Sequence, residues 1–447
     1  FEVVTLEKML HRGVPQKRPC ILCGTGRGEA PTAAASRMKA AYRRVHESTG
    51  LSMAANGGWP HVISFMGQTE RTNETSVVCL AFLNAANAHP RCAKLDLELL
   101  GGVGAFSFNK LRTAHVRFPA LRDVVVDVSS HFSQSSSVPG LLLLLPQLAS
   151  FTSITELDVG GQELVSFPAI LCGLTGLKKL HLHDNVIAAL PDAIGNLTNL
   201  TDLDVGINQL TALPDTLGAL TGLVKLEAGG NQLAALPGSC AALTALKDLN
   251  LFGNKFTTFP KPIVELGMSL TTLWLGGNQL VTLPDSITAL TALTELGFGH
   301  NLFTSLPKEI VKLTNLTKLF LGGNQLATLP TAIGSLTALK VLNLDSNKFT
   351  MFPKSISKQL TSLTELNLSD NPLLALPDSI AALTALKALY LNDIHVATLP
   401  DSISALTALK GLDVSSNPLA KPQSSAVEAW LAALGAGGCD LEMPRGE

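Results

Sequence analysis

Charge is scarce in this sequence: Asp, Glu, Lys and Arg make up 15% of 447 residues, against roughly 25% in an average soluble domain. Aromatic residues are scarcer still, at 5%. So little charge, beside 46% apolar residues, excludes a disordered chain and a highly charged nucleic-acid binder. Long apolar runs are missing as well. The leucine run 141–145 stops at Pro146 and Gln147, far short of the roughly 20 residues a membrane-spanning helix needs. Seven cysteines form no paired framework, which excludes a disulfide-dense mini-protein and points to a reducing compartment. The expected location is therefore intracellular, in the cytoplasm or else in an organellar or ciliary assembly. The sequence begins at Phe1, so any targeting segment upstream is not read from it.

What the chain does have is leucine at fixed intervals. Aligning Leu177-Lys-Lys-Leu180-His-Leu182-His-Asp-Asn185 with Leu200-Thr-Asp-Leu203-Asp-Val205-Gly-Ile-Asn208 gives a period of 23. Twelve units begin at Ile154, Leu177, Leu200, Leu223, Leu246, Leu270, Leu293, Leu316, Leu339, Leu363, Leu386 and Leu409. Nine intervals are 23 and two are 24. The extra residues fall near Gly267-Met268-Ser269 and Lys358-Gln359, where a loop absorbs them. Residues 1–150 carry 16 Lys and Arg against 10 Asp and Glu, whereas the rest carries 17 against 25, so the two parts differ electrostatically.

The repeated pattern LxxLxLxxNxLxxLPxxIxxLxx resembles the leucine-rich repeat, and its 23-residue form with a Leu-Pro return resembles the intracellular Ras-group and Scribble- or Erbin-type scaffolds. The resemblance covers about 154–421. It implies an α/β solenoid with a curved parallel sheet on the concave face, an N-terminal helical cap and a C-terminal capping helix. It implies no reaction, because the family shares a scaffold and not a chemistry.

The unit can also be read from its residues. Leu180 and Leu182 point to one face of a short strand and His181 to the other, so stacked units form a parallel sheet with an exposed strip about 55 Å long. Leu190, Pro191 and Ile194 return the chain over the opposite side. Ten units place Asn at one position, from Asn185 to Asn417, where its donor and acceptor satisfy backbone groups exposed as the strand bends away. Two units depart, with Gln162 and Ile394. Ile394 is either a distortion that re-aims Tyr390 or decay without consequence.

Four regions follow: residues 1–90 as a basic, partly helical cap; 91–153 as degenerate leading repeats with strands near Leu95 and Val124; 154–421 as twelve regular repeats; and 422–447 as a capping helix and tail. Within the first, 32–48 reads as an amphipathic helix and 77–83 as an apolar segment packing on the first leading strand. In the last, Ser424 or Ser425 caps a helix over 426–434. Val427, Trp430, Leu431 and Leu434 face the final repeat, and Gly435 to Gly438 break it.

Signals for catalysis are weak. The glycines of 24–28 lack the Lys-Ser/Thr ending of a phosphate loop. Cys20 and Cys23, with His11, Cys79, His89 or Cys92, make half a zinc site at most, so no cofactor is expected. Cys172 and Cys240 read as core, and Cys439-Asp440 has too little chain around it to activate a thiol. The basic first 50 residues have only Phe1 and Tyr42 interleaved, so they read as solvated or partner-facing; contact with nucleic acid is confined to a role inside a large assembly.

The exposed strand position reads Asp158, His181, Asp204, Glu227, Asn250, Trp274, Gly297, Phe320, Asn343, Asn367, Tyr390, Asp413. Surface aromatics here have no core role, and Gly297 leaves a notch between Trp274 and Phe320. The expected function is a non-enzymatic scaffold that binds a protein at Phe252, Trp274, Phe320 and Tyr390 and takes basic groups at Asp158, Asp204 and Glu227, as a transient adaptor or a stable subunit of a large assembly. Two alternatives stay open. One is an extracellular adhesion or receptor ectodomain, suggested by N-x-S/T sequons at Asn73, Asn196, Asn199, Asn315 and Asn367. The other is the regulatory part of a longer enzyme.

Overall fold

The computed structural model describes residues 154–444 in full and four strands upstream of them. The chain forms two compact units, Phe1–Ser107 and Phe108–Glu447. In the first, β1 (His61–Gln68) pairs antiparallel with β2 (Val77–Leu80) and parallel with β3 (Ala93–Leu97). The helix expected over 32–48, Gly24–Gly28 and the Cys20–Cys23 pair lie outside the described residues.

In the second unit, β4 (Val124–Asp127) pairs parallel with β5 (Ile154–Asp158), so the strand expected near Val124 leads into the array. From β5 to β16 (Gly411–Asp413), each of the twelve repeats contributes one strand, and successive strands pair parallel in one register. The leucines flanking each exposed residue are buried: Leu180 and Leu182, Leu273 and Leu275, and Leu319 and Leu321 are all 0% exposed. The fold is the expected parallel-sheet solenoid.

Each Leu-Pro or Phe-Pro step opens a short helix, of the 3-10 type in all but one unit, because proline sets an extended backbone ahead of a tight turn and gives up no ladder donor. These helices have five residues in the 23-residue units. The two 24-residue units use six: Lys261–Leu266, and α1 (Lys354–Gln359), which is α-helical. The insertions are thus absorbed in the return, as the spacing predicts. The same two units replace Leu-Pro with Phe259-Pro260 and Phe352-Pro353. Phe259 packs edge-on against Phe298, and Phe298 against Phe303, inside the core.

The asparagines form a buried ladder. Asn301 is 4% exposed; its Oδ1 accepts from Leu280 N at 3.0 Å, and its Nδ2 donates to Leu275 O and Phe298 O at 3.0 Å each. One side chain therefore ties three backbone groups across two units. The residue before the Asn position has φ between +50° and +67° in all twelve units. Five of these residues are Gly, which adopts that conformation freely, whereas Ile207 is β-branched and held at φ +50°.

The two departures are explained by this ladder. Because Ile394 offers no side-chain oxygen, Leu373 N of the preceding unit donates to Asn371 O instead, while Ile394 itself is fully buried. After both Gln162 and Ile394 the next residue, Glu163 or His395, also turns to positive φ. The distortion is confined to the turn: Tyr390 keeps its register between Asn367 and Asp413.

The C-terminal edge is closed twice. Helix α2 (Ser425–Ala436) is capped by Ser424 Oγ, which accepts from Val427 N at 3.2 Å. Val427, Trp430, Leu431 and Leu434 are buried, and Trp430 Nε1 donates to Leu406 O. The helix runs past Gly435 to Ala436, and the turn at Gly438 leads into β17 (Asp440–Glu442), which pairs with β16. The sequence reading took this segment for a tail. It covers the last sheet edge, which would otherwise leave unpaired backbone groups.

Replacing Asn301 with Leu is expected to lower stability by roughly 1–3 kcal/mol, read from chemical denaturation, because backbone groups of two units lose their partners. Ile207→Gly is expected to raise stability by about 0.5–1 kcal/mol through relief of the left-handed strain, less the added freedom of the unfolded chain. A lower denaturation midpoint for the glycine variant would show that the Ile207 side chain contributes more than its backbone costs.

Candidate partner-binding face

The parallel register sorts the exposed side chains into columns that run across the strands. One column, just before the second leucine, reads Glu156, Lys179, Asp202, Lys225, Asp248, with each residue directly opposite the next. Opposite charges therefore alternate, and Lys179 Nζ lies 3.0 Å from Glu156. The same pairing recurs at Lys318 and Glu295, 2.7 Å apart.

The neighbouring column holds the residues expected to bind a partner, and it begins acidic. His181 sits between two carboxylates, with Nδ1 3.5 Å from Asp158 and Nε2 3.7 Å from Asp202. These two carboxylates push its pKa from 6.5 up to about 10, so the imidazole is a cation at neutral pH. Burial raises Asp158, but His181 and the Gly160 N–H, which donates to it at 3.0 Å, together hold it below its ordinary value. Asp202 is held low first by His181.

Farther along, the compensation fails. Burial pushes the carboxyls of Asp204 and Asp248 up, and Glu227 adds repulsion to both. Lys225 Nζ lies 3.2 Å from Glu227 and is its partner in this stretch. His183, in line with Asp204 at 3.5 Å, was not picked out from the sequence. Its signal was present, since it lies two residues beyond His181 and so on the same side of the chain.

The aromatic residues come together two strands farther on. Trp274 and Phe320 are brought to a ring separation of 5.1 Å, tilted by 39°. The notch expected at Gly297 is filled by Trp274 itself. A β-carbon added at Gly297 would lie 2.2 Å from the indole, so the ring occupies the space over the glycine, 5.1 Å from Phe320 between centroids. Phe252, 47% exposed, lies over Gly276 in the same manner. Tyr390 is separated from this group by the strands of Asn343 and Asn367.

Beside the rings is a recess of about 150 Å³, lined by Phe252, Trp274, Phe320, His300, Asn343 and Asp345, with Gly276, Gly299 and Gly322 beneath. Phe252 and Asp345 occupy the same repeat position in units four apart, and the three intervening units have glycine there. The floor is bare backbone whose carbonyls are already paired across units: Gly276 O accepts from Gly253 N, Gly299 O from Gly277 N and Gly322 O from His300 N. Asp345 and His300 were not singled out from the sequence; the signal for Asp345 was present, since it holds the repeat position of Phe252, whereas His300 lies in the turn, beyond the reach of the strand period.

Among the described residues, no group of three or more His, Cys, Asp or Glu is placed to hold a metal ion, and no helix is long and apolar enough to cross a membrane. Cys172 and Cys240 are buried, and burial pushes Cys240 up to about 12.

The leucine rich repeat family profile matches residues 175–233, 268–326 and 337–396, and a profile for paired leucine rich repeats matches 314–356. Between residues 175 and 396 the chain thus consists largely of leucine-rich repeats, in the region where the period of 23 was read from the sequence. No curated protein matches it. Among solved structures, an internalin of Listeria monocytogenes is 22% identical, over 70% of this chain and 94% of its own, with a TM-score of 0.54. A TDR receptor is 24% identical over 74% of this chain and 57% of its own, at 0.58. The functional domain of InlJ from Listeria monocytogenes, which includes a cysteine ladder, is 25% identical over 61% of this chain and 60% of its own, at 0.50.

These relatives correct the intracellular, cytoplasmic location expected from the cysteines, since they are internalins and a receptor. The physical fault in that expectation is plain. Cys172 and Cys240 serve as apolar core residues, and a buried thiol reports packing, not the redox state of a compartment.

The His181 cluster makes a prediction. Its folded pKa is raised, so its contribution to stability is complete below about pH 6.5 and is lost as pH rises towards about 10. The His181 ring resonances are expected to stay those of a cation from pH 5 to pH 8.5, and His181→Gln is expected to flatten the stability profile between pH 6.5 and 10. A midpoint near 6.5 in the NMR titration would show that the two carboxylates do not hold the proton.

Proposed function

We propose that this chain is the recognition part of an extracellular adhesion- or receptor-type protein and binds a protein partner across its concave face. The observation that carries this is the grouping of Phe252, Trp274 and Phe320 on an otherwise polar strip, next to Glu227 and the undercompensated acids Asp204 and Asp248. Large rings held rigidly by glycine neighbours lose little freedom on binding and supply most of an anchor's apolar area. Acids beside them steer a basic surface into place. Tyr390 and Asp158 then lie at the margins, Tyr390 as a separate contact and Asp158 occupied by His181.

Two observations favour the extracellular setting. The relatives named above are internalins and a receptor. The sequon residues Asn196, Asn199 and Asn315 are exposed, on the return side, away from the strip. The finer likeness to Ras-group scaffolds rests on unit length and the Leu-Pro return, and it names no partner.

The double variant Trp274→Ala, Phe320→Ala is expected to lose the partner captured by the wild-type chain while keeping its melting temperature within a few degrees. Undiminished capture would move the binding site off this face. In protein from its natural source, mass spectrometry is expected to find glycans on Asn196, Asn199 or Asn315, and bare asparagines at all three would count against the extracellular setting.

A further inference from the structure

The recess beside Trp274 has a chemistry more specific than an apolar anchor site. Its aromatic wall leans towards the C-terminal units, Phe252 over Gly276 and Trp274 over Gly297. Its acidic wall leans the other way, because a β-carbon at Gly322 would lie 2.1 Å from Asp345 Oδ1. Rings and a carboxylate thus line one recess over Gly299 and Gly322. Asp345 is positioned by its own loop: Asn343 Oδ1 accepts from Asp345 N at 2.9 Å, and Ser346 Oγ donates to Asp345 Oδ2 at 3.1 Å. Among the described residues, no Lys, Arg or His side chain pairs with it.

We propose that this recess receives an arginine side chain of the protein partner, with the guanidinium stacked on the Trp274 and Phe320 rings and hydrogen-bonded to the Asp345 carboxylate. This rests on the concave-face reading above and names the group recognised there. Three features lead to a cation. The negative faces of the rings attract one. An apolar side chain filling the recess would strip water from Asp345 and leave its Oδ1, which Ser346 does not reach, without a partner. The strip next to it is negative in excess, since Glu227 and Asp248 repel each other there. A planar guanidinium satisfies the geometry better than an ammonium, because it can lie flat on an indole and still donate in its own plane to a carboxylate.

The test uses the full chain labelled with ¹⁵N-tryptophan, with the Trp274 indole N–H assigned by Trp274→Phe. N-acetyl-arginine amide is titrated in, followed by the citrulline analogue, which has the same shape without the charge, and by the leucine analogue. The expected result is a saturable shift of the Trp274 signal with arginine, a citrulline affinity at least about tenfold weaker, and about tenfold weaker arginine binding in Asp345→Asn. Should Asp345→Asn lower the melting temperature, the arginine-to-citrulline ratio on the wild-type chain decides alone. No saturable shift with arginine, or equal affinity for citrulline, overturns the proposal. Tighter binding of leucine than of arginine also overturns it, but leaves the concave-face reading standing with an apolar anchor. Retention of the partner by the Trp274→Ala, Phe320→Ala variant defeats that reading separately.

Discussion

The structure depends on the asparagine bond across units. A strand that bends out of a sheet after three residues turns its next amides and carbonyls into an apolar interior, where each unpaired group costs roughly 1–3 kcal/mol. One Asn side chain answers three of them at once, two carbonyls and an amide, and two of those three belong to the preceding unit. Stacking is therefore built into the bond. The bend it requires places the residue before it at positive φ in every unit, so the geometry of the turn is common to residues as different as Gly277, Ile207 and His300. Where Ile394 replaces Asn, the missing acceptor is recovered locally at Asn371 O, and the strand register survives because neighbouring units on both sides hold it.

Identical turns make identical registers, and these make columns. In a column, every residue faces the same position one strand away, about 4.8 Å off, so a sequence choice repeated down the array repeats its electrostatics too. Alternating Glu156, Lys179, Asp202, Lys225 and Asp248 neutralise one another, whereas the adjacent column places Asp158, Asp204 and Glu227 on one side and requires His181 among them. The array thus resolves its charge locally in most places. What remains, around Asp204 and Asp248 and at Asp345, is conspicuous because the surroundings are neutral.

Everything with the period of the repeat was legible in the sequence: the twelve strands, the buried asparagines, the location of the two insertions and the face on which His181, Trp274 and Phe320 emerge. The cap helix was legible as well, since Ser424 and the spacing of Val427, Trp430, Leu431 and Leu434 follow local rules. What was not legible lies outside the period. Whether Trp274 stands up or lies across Gly297 is a choice of rotamer made by the space a neighbouring glycine leaves, and the pattern of apolar positions contains no such information. Strand β17 was missed because three residues with one apolar position carry no periodic signal, and only the open edge of β16 gives them a partner.

The scarcity of charge acquires its meaning from the same geometry. A partner approaching a Thr-, Ala- and Gly-rich surface finds few groups that cost much to desolvate, so contact over most of the array is nearly neutral in free energy and selects nothing. Discrimination must come from the few positions where the face is not neutral. The glycines at 276, 299 and 322 sharpen that contrast by leaving their repeat position without a side chain between Phe252 and Asp345, so that rings and carboxylate meet over bare backbone. The carbonyls of that floor are already taken by neighbouring turns, so a ligand's donors find their acceptor in the Asp345 carboxylate and its flat or apolar groups find Trp274 and Phe320.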